Sequence, residues 1–101
     1  MKRADDKFAP RRKLRFGMPE IIGHWRSYGG APGIRIYRNT SHRGYYLVEF
    51  TYDKDTVLLR PVKQYRGIYY FDLYGWIRIS YDNERDMLHL DGYGDYYRED
   101  E

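Results

Sequence analysis

The chain contains no cysteine. Disulfides, thiolate nucleophiles and cysteine-built zinc sites are therefore excluded, and a reducing compartment suits it. Long apolar runs are also missing. The stretch from Lys2 to Arg15 is charged, with Phe8 and Leu14 standing alone. Neither a signal peptide nor a membrane-spanning helix is expected, so a cytoplasmic location follows. No ten-residue stretch carries the 3.6-residue period of a helix. Phenylalanine and tryptophan are scarce, at 4 and 2 residues, beside 13 tyrosines. That imbalance suits half-buried sheet faces, where a ring packs while its hydroxyl stays wet.

With 101 residues the chain has the length of one domain, long enough for a core but short for a ligand-holding barrel. Its net charge of +3 conceals a gradient. Residues 1–20 sum to +4, residues 21–66 to +5 and residues 67–101 to −6. Oppositely charged halves can face one another within the fold or across a homodimer, or simply coat different strand faces.

Residues 1–19 read as an extended basic N-terminal arm, with Pro10 interrupting it and Arg11, Arg12 and Lys13 as its cluster. Leu14, Phe16 and Met18 alternate, so the end of the arm is expected to lie against the domain. Residues 20–101 read as a single small antiparallel meander or barrel of about eight short strands. Expected strands are Ile21 to Ser27, Ile34 to Arg38, Gly44 to Tyr52, Thr56 to Gln64, Ile68 to Leu73, Trp76 to Asp82, Met87 to Leu90 and Tyr93 to Arg98. Pro61 marks an edge or a bulge, because proline cannot donate to a ladder.

Register is readable at two hairpins. Matching the apolar faces of Ile68–Leu73 and Trp76–Asp82 requires an odd loop. Tyr74-Gly75-Trp76 meets this by pairing Leu73 with Ile77 and Phe71 with Ile79, Gly75 supplying a positive φ. The next hairpin pairs Tyr81 with Leu88 and Ile79 with Leu90 around Asn83 to Asp86.

Several chemistries lack their residues. His24, His42 and His89 are dispersed, and Asp82 to Asp86 lacks the later glycine and glutamate of a calcium loop. Neither a nucleophile elbow nor a phosphate-cradling glycine loop is present, so no catalysis and no cofactor are expected. Binding is the expected role. Arg11, Arg12 and Lys13 suit an acidic surface or nucleic acid. Arg35 with Tyr37, Arg43 with Tyr45 and Arg66 with Tyr69 suit a Tyr/Arg face for a protein partner, a sugar or stacked bases. Arg43 to Phe50 partly matches the RNA-recognition signature, but Tyr46 replaces a small residue and the two helices of that fold are missing. A small-ligand calyx is a further alternative.

Gly23-His24-Trp25 on the first strand resembles the Gly-x-Trp signature of lipocalins and related calycin barrels. The resemblance implies that Trp25 lies at one barrel end, covered by a basic residue from near the last strand, here Arg98; such a cation–π pair is worth about 1 kcal/mol. Gly23, Trp25 and Arg98 are thus structural expectations. Residues 19–98 also resemble a domain-of-unknown-function family of small proteins from gut anaerobic bacteria, which carries a Gly-x-Trp start, a tyrosine-rich meander and a Gly-Tyr-Gly end. That resemblance implies a fold and no activity.

Overall fold

The structure, a computed structural model, describes residues 16–40 and 45–99. Within these residues nine strands alternate with short turns: β1 (Gly23–Ser27), β2 (Gly33–Asn39), β3 (Tyr45–Thr51), β4 (Val57–Pro61), β5 (Lys63–Tyr65), β6 (Ile68–Asp72), β7 (Trp76–Asp82), β8 (Met87–Leu90) and β9 (Gly94–Arg98). Their order in one sheet is β4-β3-β2-β1-β9-β8-β7-β6-β5, and every neighbouring pair is antiparallel. Among the described residues the only non-sequential pairing joins β1 to β9, with Trp25 opposite Arg98. The result is the expected all-β meander, curled into a nearly closed barrel.

The near-closure depends on one residue. β4 and β5 are a single extended stretch, bent at Val62, that leaves β3 and joins β6. Val62 N–H donates to Tyr46 O at 2.8 Å, which extends the β3–β4 ladder one step past Pro61. Because antiparallel pairs alternate between bonded and non-bonded, Pro61 opposite Leu47 falls at a non-bonded position. Its missing donor therefore removes nothing from the β3 ladder and faces the free edge, where the chain changes partner. The edge reading of Pro61 holds, and the bend makes nine strands where the sequence suggests eight.

The interior is filled. Trp25, Tyr96, Phe50, Phe71, Ile36, Ile79, Leu88, Leu90 and Val48 are fully buried. Phe50 packs on Phe71 and Tyr93 with ring centroids 5.5 Å apart in each case. A side-chain core of this kind leaves no room for the calyx alternative among the described residues, as a short barrel dictates.

The first strand begins later than the apolar run suggests. Met18–Ile21 form one 3-10 turn in which Glu20 N–H donates to Gly17 O and the Glu20 carboxylate accepts from Gly17 N–H, both at 2.9 Å. Met18 and Ile21 are buried, and Phe16 packs on Tyr69 and Tyr81. Phe16 to Pro19, read as the end of the arm, thus belong to the packed domain and cover one end of the barrel.

Of the two hairpin registers, the second is as expected: Tyr81 faces Leu88 and Ile79 faces Leu90. The first keeps its odd, three-residue loop but slides by two positions. Phe71 pairs with Ile77 and Tyr69 with Ile79 around Leu73-Tyr74-Gly75. Parity keeps the same faces together in either register, so the apolar pattern cannot choose between them. The choice falls to the loop. Tyr74 and Gly75 adopt φ of 58° and 128°, Leu73 N–H donates to Gly75 O at 2.8 Å, and Leu73 turns into the core.

Candidate functional site

At one end of the barrel, Gly23, Trp25 and Arg98 meet as the sequence suggests. The Arg98 guanidinium lies 4.4 Å from the Trp25 ring centroid. It donates to Ile22 O at 2.6 Å and Glu20 O at 2.8 Å, and forks onto Asp86 at 2.7 and 3.0 Å. Trp25 Nε1–H donates to Ile21 O at 3.0 Å. Gly23 has φ 143°, and a Cβ there would stand 2.9 Å from Arg98 Nη1. The Arg98 guanidinium holds the Asp86 carboxyl below the usual carboxylate range, and burial together with Asp86 pushes the Tyr81 phenol up. Arg98 Nε, Nη1 and Nη2 and Trp25 Nε1 each donate to the protein itself, so the cluster ties the first and last strands together at the barrel end.

The expected binding residues divide among different places. Arg11, Arg12, Lys13 and Arg43 lie outside the described residues. Arg35 and Tyr37 share the outer face of β2, with the guanidinium 4.1 Å from the Tyr37 ring centroid. Arg35 also pairs with Glu49 at 3.3 Å. Arg35 and Glu49, without Tyr37, border a shallow cleft of about 580 Å³ that also takes in Arg26 and Glu99, paired at 3.0 Å. Its charges thus neutralise one another. Tyr45 is exposed at the start of β3. Tyr69 faces inward, packs on Phe16 and belongs with the core. Arg66 is displayed at the β5–β6 turn with its guanidinium 5.2 Å from the Tyr65 ring centroid.

Arg66 leads to an assembly that sequence reasoning misses. Tyr65, Tyr70 and Trp76 form an aromatic shelf on the outer wall of β5, β6 and β7. Two turns place them. Arg66 and Gly67 have φ of 54° and 81°, the pair of positive angles a tight two-residue hairpin needs, and this sets Tyr65 opposite Ile68. The Leu73-Tyr74-Gly75 loop sets Asp72 opposite Trp76 and Tyr70 opposite Arg78. Phe71 and Ile79 face the core, so strand alternation turns Tyr70, Trp76 and Arg78 outward.

Tyr70 stacks on Trp76 with centroids 4.4 Å apart and planes 23° apart, while Tyr65 meets Trp76 edge-on at 6.4 Å. Trp76 is 65% and Tyr65 53% exposed. With Ile68, Arg78 and Asp91 they line a cleft of about 310 Å³. Arg78 Nε lies 3.5 Å from Asp91 Oδ2, and both side chains keep 40% or more of their surface in solvent. The signal available in the sequence is the outward parity of Tyr70. It is masked because the other reading of the loop absorbs Trp76.

Beside the shelf, Ser80, His89 and Asp95 stand in register across β7, β8 and β9. That order is the one a nucleophile triad uses, but the side chains are not arranged as one. Ser80 is buried, His89 Nδ1 lies 2.7 Å from Asp95 Oδ1, and His89 Nε2 faces Asp91 at 3.8 Å. The imidazole lies between two carboxylates, which makes the row an acidic, hydrogen-bonded border to the shelf. At the β7–β8 turn Asp82 accepts from the Glu84 and Arg85 N–H groups, which accounts for the acid-rich stretch that begins like a calcium loop. Among the described residues no three His, Asp or Glu are grouped to hold a metal ion, and no helix is long and apolar enough to cross a membrane.

No protein-family model matches the chain, and neither a curated protein nor a solved structure does.

Proposed function

We propose that this protein is a non-enzymatic binding module, working in the cytoplasm, whose ligand lies on the Tyr65–Tyr70–Trp76 shelf. The carrying observation is the exposure of Trp76 at 65% while its ring is stacked on Tyr70 and flanked edge-on by Tyr65. Large exposed aromatics grouped on one face mark interaction sites, and rings held in place in advance lose little freedom on binding. Arg66 and Arg78 supply directed donors at its border. The Gly23–Trp25–Arg98 contact supports reading the barrel as lipocalin-like in plan, with its ligand moved from a calyx to the outer wall.

The test is a panel of immobilised glycans, peptides and oligonucleotides offered to the full chain and to Trp76→Ala. A saturable ligand that Trp76→Ala loses and Arg35→Ala keeps is the expected result. A panel in which no probe depends on Trp76 overturns the reading.

A further inference from the structure

Resting on the binding-module reading, we infer that the shelf takes the flat face of a neutral sugar ring, a pyranose unit of an uncharged oligosaccharide. Three features of the site converge on that chemistry.

The first is shape. A cleft of about 310 Å³ is lined by Tyr65, Tyr70 and Trp76. Ligand pockets begin at about 300 Å³, so the site holds one ring-sized unit of a longer chain. Aromatic faces carry the negative side of a quadrupole and favour the slightly positive C–H face of a pyranose.

The second is the polar border. Arg78 offers only donors and Asp91 only acceptors, and the two stand 3.5 Å apart with their outer sides wet. Neighbouring hydroxyls on a sugar ring donate and accept at once, so a diol satisfies both. A proline-rich peptide also docks on aromatics, but its backbone offers carbonyl acceptors without N–H donors. It would cover the wet side of the Asp91 carboxylate without bringing a donor, leaving it only the long contacts from Arg78 at 3.5 Å and His89 at 3.8 Å, which is disfavoured.

The third is the field. Around the shelf Lys63, opposite Tyr70, Arg66, over Tyr65, and Arg78 are matched by Asp72, Asp91 and Asp95. Asp72 faces Trp76 across the β6–β7 pair, and Asp91, His89 and Asp95 continue the border. A phosphodiester chain gains affinity by replacing its counterions with Lys and Arg. Here the cations of the border are matched by carboxylates and leave no excess of positive charge, whereas an uncharged sugar needs none. The balanced border thus selects between two ligands that both stack on aromatics.

The experiment titrates the full chain and its variants with maltohexaose, cellohexaose, xylohexaose, a decaproline peptide and decathymidylate, following the heat of binding by isothermal titration calorimetry, with tryptophan emission as a second readout for the parent chain. Trp25 is buried beneath Arg98, so a ligand on the shelf reports through Trp76. A saturable, salt-insensitive response to at least one neutral hexasaccharide is expected. Trp76→Ala should weaken binding by about tenfold or more, as truncation of an aromatic anchor does, and Asp91→Asn should weaken it several-fold. Trp76 is exposed, and circular dichroism confirms that each variant folds before its binding is read. Trp76-dependent binding of the oligonucleotide or the peptide, with no response to any sugar, overturns the sugar assignment and leaves the binding module standing. Silence from every probe overturns both.

Discussion

Replacing Arg98 is the most searching perturbation this fold offers. The side chain is 28% exposed and its partner Asp86 44%, so the ion pair is partly screened and contributes at most about 1 kcal/mol. The cation–π contact with Trp25 adds about 1 kcal/mol. The bonds from Nη1 to Ile22 O and from Nη2 to Glu20 O are charge-assisted, at about 1.5 kcal/mol each when taken at the low end for their position near solvent. Arg98→Ala is therefore expected to remove about 3–5 kcal/mol, allowing for non-additivity among groups that share one side chain. For a domain of this size that is a fall in Tm of more than about 12 °C.

Arg98→Lys makes the decisive comparison. Lysine keeps the charge but presents one compact nitrogen where the site needs a planar fork reaching three partners. It should recover less than half of the loss. The assay is urea unfolding followed by tryptophan emission and near-ultraviolet circular dichroism, with the slope m compared to confirm that the unfolded reference is unchanged. Arg98→Lys within about 0.5 kcal/mol of the parent refutes the reasoning, because charge alone would then account for the site. A loss below about 1 kcal/mol for Arg98→Ala refutes it as well.

Three further outcomes follow from the same geometry. The carboxyl of Asp86 is held below its ordinary value by Arg98, so its contribution is present above the unfolded value near pH ~3.9 and is lost as pH falls through the lower folded value; Asp86→Asn should flatten the fall in urea midpoint between about pH 4 and pH 2, and an unchanged slope counts against the pairing. Burial raises the Tyr96 phenol well above its ordinary value, so stability is full below about pH 10 and declines as pH climbs past it; Tyr96→Phe should reduce that alkaline decline and, by giving up the bond to Pro32 O, destabilise by about 1 kcal/mol at neutral pH, both read from urea melts. Gly75 has φ 128° with open space around its Cβ position, so Gly75→Ala should lose about 1 kcal/mol from backbone strain alone; a neutral result in thermal melts would mean that the loop relaxes.

Much of the barrel is legible in the residue order. Alternation sets which side of each strand is apolar, and the extents of Trp76–Asp82 and Met87–Leu90 are read without error. The pairing of Tyr81 with Leu88 follows because only one short turn fits between their strands. The meeting of Trp25 with Arg98 is legible through a resemblance, since no local rule joins residues so far apart. Tyr69 departs from its expected place on an exposed Tyr/Arg face for a plain reason. Tyrosine suits either side of a sheet, and Tyr69 and Tyr70 are adjacent, so one must point in and the other out. The pairing of Tyr69 with Ile79 and the packing of Phe16 over its ring put Tyr69 inside and leave Tyr70 to the outer wall.

By itself, then, the order of residues determined the all-β class, a packed region that begins within a few residues of Pro19, the strand faces and the uneven spread of charge. These depend on period and composition, which are local. The tertiary structure decided the rest. Sliding the β6–β7 hairpin by two residues keeps every apolar side chain on its face, so the pattern is blind to it, yet that slide carries Trp76 out of the loop and diagonally against Tyr70. The bend at Val62 likewise brings Tyr65 to β6 instead of leaving it on the β3 side. A shelf made from three strands exists only when both turns and the bend are set together, and no local pattern of residues sets all three.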